Sequence, residues 1–164
     1  MKFNPSHLAQ FLLFTTCSIG LAHATEPVPC TNATLTGDYV FTITGQILAP
    51  PPVAGPVAGV ALTRFDGNGN MTQVDHVVHA GVTPVEAWRP GVGPYQVNSD
   101  CTGWFTITPK PTEPADGGPE LKLYFVIGEN GQEIRTVVSG SPDASAFSAA
   151  ITSIGTRREI PPGQ

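Results

Sequence analysis

Val57-Ala58-Gly59-Val60-Ala61-Leu62-Thr63-Arg64-Phe65-Asp66-Gly67-Asn68-Gly69-Asn70-Met71-Thr72-Gln73-Val74-Asp75-His76-Val77-Val78-His79 reads as two β-strands and the turn that joins them. Asp66-Gly67 and Asn68-Gly69 supply the positive φ angles of a tight turn, so Phe65 to Met71 is a hairpin tip. The flanks, strand two over 57–65 and strand three over 71–79, are rich in apolar and β-branched residues. Two registers of strand two stay open here. One turns Val60 and Leu62 outward, the other inward, and the choice exchanges every interior residue of the strand.

The same grammar repeats on both sides. Upstream, Leu35 to Ile47 puts Tyr39, Phe41 and Ile43 on one face and Val40, Thr42 and Thr44 on the other, the period of two that marks a strand. Downstream, a Gly-Pro loop over 81–94 precedes a short fourth strand at 95–98. A fifth follows at 104–108, with Phe105 and Ile107 on one face. Leu121, Leu123, Phe125 and Ile127 form the inward row of a sixth strand. A turn at Glu129-Asn130-Gly131-Gln132 leads to a seventh over 133–139, and an eighth lies within 147–157. Prolines and glycines cluster between these stretches, and no long helical repeat interrupts them. The expected fold is all-β: an eight-stranded antiparallel up-and-down barrel, which leaves no exposed sheet edge. A two-sheet β-sandwich is the alternative.

Residues 1–24 read as a secretory signal peptide, with Lys2, an apolar stretch from Leu8 to Ala22 and the small-x-small end Ala22-His23-Ala24. An approach segment at 25–34, one barrel domain at 35–158 and a tail at 159–164 complete the expected organisation. Cys17 leaves with the leader, and in a secreted or periplasmic setting Cys30 and Cys101 become a disulfide pair. That bond ties the start of strand one to the turn after strand four, which favours closure. Eight Lys and Arg stand against thirteen Asp and Glu. Loss of Lys2 with the leader makes the balance more acidic, so phosphate-backbone binding has no basic patch to rest on. No segment beyond the leader is apolar enough to span a membrane as a helix.

Four segments carry a family resemblance: Leu35-Thr36-Gly37-Asp38-Tyr39-Val40-Phe41 with Gly45, Phe65 to Asn70, Tyr95 to Gly103, and Phe125-Val126-Ile127 with Asn130-Gly131. In them the chain resembles small secreted barrels of the calycin-like or allene-oxide-cyclase-like class. The resemblance implies a barrel more than an activity, since that class includes carriers, cyclases and proteins with no assigned task. The Gly-x-Trp of true lipocalins is not in strand one, and Tyr39 stands where that aromatic is expected.

Chemistry is sparse. Asp66, Asn68 and Asn70 imitate the first ligands of a calcium loop, but Met71 replaces its glycine and Val77 its closing glutamate, so a plain hairpin is the better reading. His76 and His79 fall on opposite strand faces and do not share a metal; no metal site and no cofactor is expected. Asp75 and His79 share a face, but stand about 13 Å apart along an extended strand. Asn32-Ala33-Thr34 and Asn70-Met71-Thr72 match the N-glycosylation pattern, with Asn32 the more accessible by position. The leading functional reading is a binding protein for a small apolar or amphipathic molecule, its pocket lined by Tyr39, Phe41, Phe65, Trp104 and Phe125. The enzyme alternative is an isomerase or cyclase using Asp75, His76 or Tyr124 as acid or donor. A third reading is a ligand-free extracellular interaction domain.

Overall fold

The computed structural model describes residues 28–48, 51–140 and 148–159. The expected signal peptide lies outside the described residues, as does most of the expected tail. Eight strands run in sequence order: β1 (Thr36–Ile47), β2 (Gly55–Asp66), β3 (Asn70–His79), β4 (Arg89–Val97), β5 (Thr102–Pro109), β6 (Leu121–Gly128), β7 (Glu133–Gly140) and β8 (Ala149–Arg157). Each pairs antiparallel with its neighbours, and β8 returns to β1 to close the barrel. The barrel prevails over the sandwich.

Alternation sets the faces. On β2, Val57, Ala61, Thr63 and Phe65 are buried while Val60 is 44% exposed, which resolves the open register with Val60 outward. On β6 the inward row of Leu121, Leu123, Phe125 and Ile127 stands as expected. The largest departure is β4, which begins at Arg89 and not at residue 95. Prolines lack the N–H of a regular ladder, so Arg89-Pro90-Gly91-Val92-Gly93-Pro94 reads as loop. The barrel accepts it by interrupting the β4–β5 pairing between Val92↔Thr108 and Tyr95↔Phe105. There the backbone of Gly93 lies so close to the Thr106 carbonyl that a β-carbon would collide with it.

One end of the barrel is plugged. Phe65, 1% exposed, sits edge-on to Tyr39, Tyr95 and Phe105 at ring separations of 5.5, 5.0 and 6.0 Å. Such edge contacts add to the roughly 1.5–3 kcal/mol from burying each large side chain. The polar tips are satisfied. Tyr39 donates to the Gly131 carbonyl (2.5 Å), and Tyr95 Oη lies 2.9 Å from the Leu35 carbonyl and 3.0 Å from that of Asn32. Burial holds both phenols above their usual pKa; in Tyr39 the nearby Arg157 offsets part of that rise.

A 3₁₀ turn at Asn32–Thr34 closes over this layer, and Asn32 Oδ1 accepts the Val97 N–H (2.8 Å). Asn32 is thus enlisted by the fold through its amide oxygen, as Asn70 is through its amide nitrogen, which donates to Asp66. The Cys30–Cys101 disulfide fastens the approach segment to the β4–β5 turn at the same end, where the Cys30 N–H also donates to the Ser99 carbonyl (3.2 Å). The hairpin tip belongs here too. Asp66 Oδ1 accepts the Asn68 and Asn70 N–H groups at 2.7 and 2.9 Å, and Oδ2 accepts Asn70 Nδ2 at 2.8 Å. These bonds, the Asn70 side chain first, hold the Asp66 carboxyl below its usual pKa. They occupy it in closing the turn.

Longer loops surround the opposite, open end. Asp116, in the β5–β6 loop, accepts the Val85 and Glu86 N–H groups from the β3–β4 loop at 2.8 and 2.5 Å. Glu86 in return accepts from Thr112 Oγ1 and the Glu113 N–H, both at 2.6 Å. The two loops hold each other through paired carboxylates.

Candidate functional site: the barrel interior

Between the aromatic plug and the open end lies a cavity of about 400 Å³. Its walls are mostly apolar, built from Phe41, Ile43, Val57, Phe105, Ile107 and Leu123. Glycines help to shape it. A β-carbon at Gly155 would stand 2.5 Å from the Phe41 ring, so β8 offers a flat place on which that ring lies. Gly103 does the same for Phe125, which packs there without meeting the cavity.

One wall is polar. Thr63 on β2, Gln73 and Asp75 on β3 and Arg89 on β4 are brought side by side by the registers Thr63↔Gln73 and Asp75↔Arg89. Thr63 Oγ1 donates to Gln73 Oε1 (3.3 Å), and Gln73 Nε2 donates to Asp75 Oδ2 (3.1 Å). Arg89 places Nε and Nη2 each 2.9 Å from Asp75 Oδ1. Burial pushes the Asp75 carboxyl above its usual pKa, and the Arg89 charge and hydrogen bond, then Gln73, offset part of that rise. Elsewhere on the cavity wall Thr136 Oγ1 and Ser153 Oγ bond each other at 2.6 Å. His79, the last residue of β3, also lines the cavity.

Of the three alternative donors, only Asp75 faces the cavity; His76 and Tyr124 face outward. His76 follows Asp75 directly and takes the other strand face. Its Nδ1 lies 2.8 Å from the Ala87 carbonyl, and its ring is edge-on to Trp88. Tyr124 stands between two inward residues, Leu123 and Phe125, and is 47% exposed.

Of the expected lining residues only Phe41 meets the cavity. Tyr39 and Phe65 are in the plug, Phe125 is packed over Gly103, and Trp104 is outside. There Trp104 opposes Tyr124 in a cross-strand pair, with the Lys122 ammonium 5.1 and 5.4 Å from the two ring centres. The residues missed are Gln73 and Arg89. Gln73 shares the inward parity of Asp75 and could have been found from it; Arg89 was hidden in the apparent loop.

Among the described residues, no group of three or more His, Cys, Asp or Glu is placed to hold a metal ion, and no helix is long and apolar enough to cross a membrane. The chain matches no protein-family model and no curated protein sequence, so its affinities rest on the architecture itself.

Proposed function

We propose that this protein is a secreted or periplasmic binding protein that holds a small apolar or amphipathic molecule inside the barrel. The observation that carries the reading is the 400 Å³ cavity, apolar on most sides and fixed by one polar wall. That size and composition match small-molecule sites in general. The resemblance to calycin-like barrels points the same way, and the leader-like sequence with the Cys30–Cys101 bond supports the location.

Native mass spectrometry of protein secreted by its own host tests the reading, with calorimetric titration of the purified protein by naphthalene as a head-less apolar probe. A stoichiometric adduct released on denaturation, or saturable naphthalene binding, is the expected result. Neither one appearing overturns the reading in favour of an interaction domain.

One observation favours the isomerase or cyclase alternative: Asp75 is a carboxyl with a raised pKa facing an apolar cavity. Once a ligand is identified, Asp75→Asn separates the two. Turnover lost with binding retained supports the enzyme; no turnover in the parent protein removes it.

A further inference from the structure

Arg89 meets the cavity with much of its hydrogen-bonding capacity unspent. Its planar guanidinium presents N–H donors along more than one edge. Nε and Nη2 both lie 2.9 Å from Asp75 Oδ1, and that contact uses one edge of the plane. The opposite edge, Nη1 with the second Nη2 hydrogen, forms no hydrogen bond among the described residues. Nor is it sealed. Among the described residues His79 Nε2 is the buried side-chain polar atom left unbonded, and Arg89 Nη1 is not, which leaves that edge open to contact. Arg89 lines the cavity and its side chain is 23% exposed, so an occupant can reach the free donors.

The surrounding polar groups also leave donors in surplus. Asp75 Oδ2 accepts from Gln73 Nε2, and Gln73 Oε1 accepts from Thr63 Oγ1. Elsewhere on the wall the Thr136 and Ser153 hydroxyls share a single hydrogen bond, so one hydroxyl hydrogen is left over there too. An occupant that answers this cavity brings an oxygen that accepts. A head group with donors only, such as an ammonium, would meet the like charge of the guanidinium. Charge then separates two kinds of acceptor. Asp75 already balances Arg89, so the free edge offers donors without an unmatched positive charge. A carboxylate there would crowd a second anion onto one guanidinium and give up its own hydration in an apolar space. A carbonyl oxygen takes the same N–H groups and brings no charge.

Resting on the binding reading above, we infer that the ligand is an uncharged apolar molecule with a carbonyl head group, its oxygen on the free edge of Arg89 and its body against the apolar walls. At about 30 Å³ per heavy atom, close to the share of a water molecule, the cavity takes roughly a dozen such atoms.

The test is calorimetric titration of the mature protein with 2-octanone, octanoate, octylammonium and naphthalene at pH 8. We expect 2-octanone to bind at least about tenfold tighter than either ion. Asp75→Asn removes the balancing charge and keeps the guanidinium. There octanoate should gain about tenfold, while 2-octanone stays within about threefold of the parent. Asp75→Asn/Arg89→Met removes the donors as well and should weaken 2-octanone by about tenfold. Naphthalene, which has no head group, should still bind that variant and so report an intact cavity. Octanoate binding the parent as tightly as 2-octanone overturns the inference, as does octanoate unmoved in Asp75→Asn or 2-octanone unmoved in the double variant. In those cases naphthalene still binds and the cavity reading survives. Failure of all four probes strikes the cavity reading itself.

Discussion

Asp75 and Arg89 face each other across the β3–β4 ladder, with Nε and Nη2 of the guanidinium both 2.9 Å from one carboxylate oxygen. Their side chains are 14% and 23% exposed, so the pair lies mostly out of water. Removing the cation alone strands the carboxylate. Arg89→Met should cost about 3 kcal/mol at pH 8 in urea denaturation, and less at lower pH, as the stranded carboxyl takes up a proton. Asp75→Asn/Arg89→Met, which removes both charges, should recover much of that loss. Additive losses in the double variant would show that the two do not act as a pair.

The acid limb of stability should carry two opposite contributions. Asp75 has a raised pKa, so between the ordinary aspartate range and its folded value the native state binds the extra proton, and stability falls as pH rises through that window. Asp66 has a lowered pKa; its contribution is present above the ordinary aspartate range and is lost as pH falls through the folded value. Denaturation midpoints from pH 2 to 8 should thus lose a downward slope in Asp75→Asn and lose part of the acid sensitivity in Asp66→Asn. The same profile in parent and variants would contradict both assignments.

Gly155 bears on the cavity without lining it. In Gly155→Ala the new methyl group meets the Phe41 ring at 2.5 Å and Ile134 at 2.8 Å, so the ring must move into the space it now borders. We expect a destabilisation of about 1–3 kcal/mol and weaker naphthalene binding. Loss of stability with undiminished binding would mean that Phe41 relaxes elsewhere.

The disulfide joins residues 71 apart in sequence. On the chain-entropy account, closing a loop of that length contributes about 4 kcal/mol, so Cys30→Ala/Cys101→Ala should fall by a comparable amount in urea denaturation. Ligand affinity should hardly change, because the bond lies at the plugged end. A fall in affinity that exceeds the population of unfolded protein would count against a rigid plug.

Much of this architecture was legible from alternation alone. Strands one to three and five to seven lie within a few residues of their expected bounds, because tight turns such as Asp66–Asn70 fix register locally. Strand four was legible only from residue 95, since Pro90 and Pro94 lack ladder donors and only the closed barrel makes room for them. The site was harder to read for a physical reason: alternation tells which face a residue takes, but not its height along the barrel. Tyr39 and Phe41 share an inward face, yet the first belongs to the plug and the second to the cavity. Height depends on the stagger of all eight strands and on the Asn32–Thr34 turn that caps one end, neither of which a single strand encodes. His76 and Tyr124 lie on the outer face, as the parity of their own neighbours also indicates.

Both ends of the described chain meet at the plugged end. Cys30 is bonded there to Cys101, and after β8 the Arg157 N–H reaches the Gln132 carbonyl and the Arg158 N–H that of Asp38. A tether fixed to either end would therefore anchor the barrel by its base and leave the mouth turned away from the support.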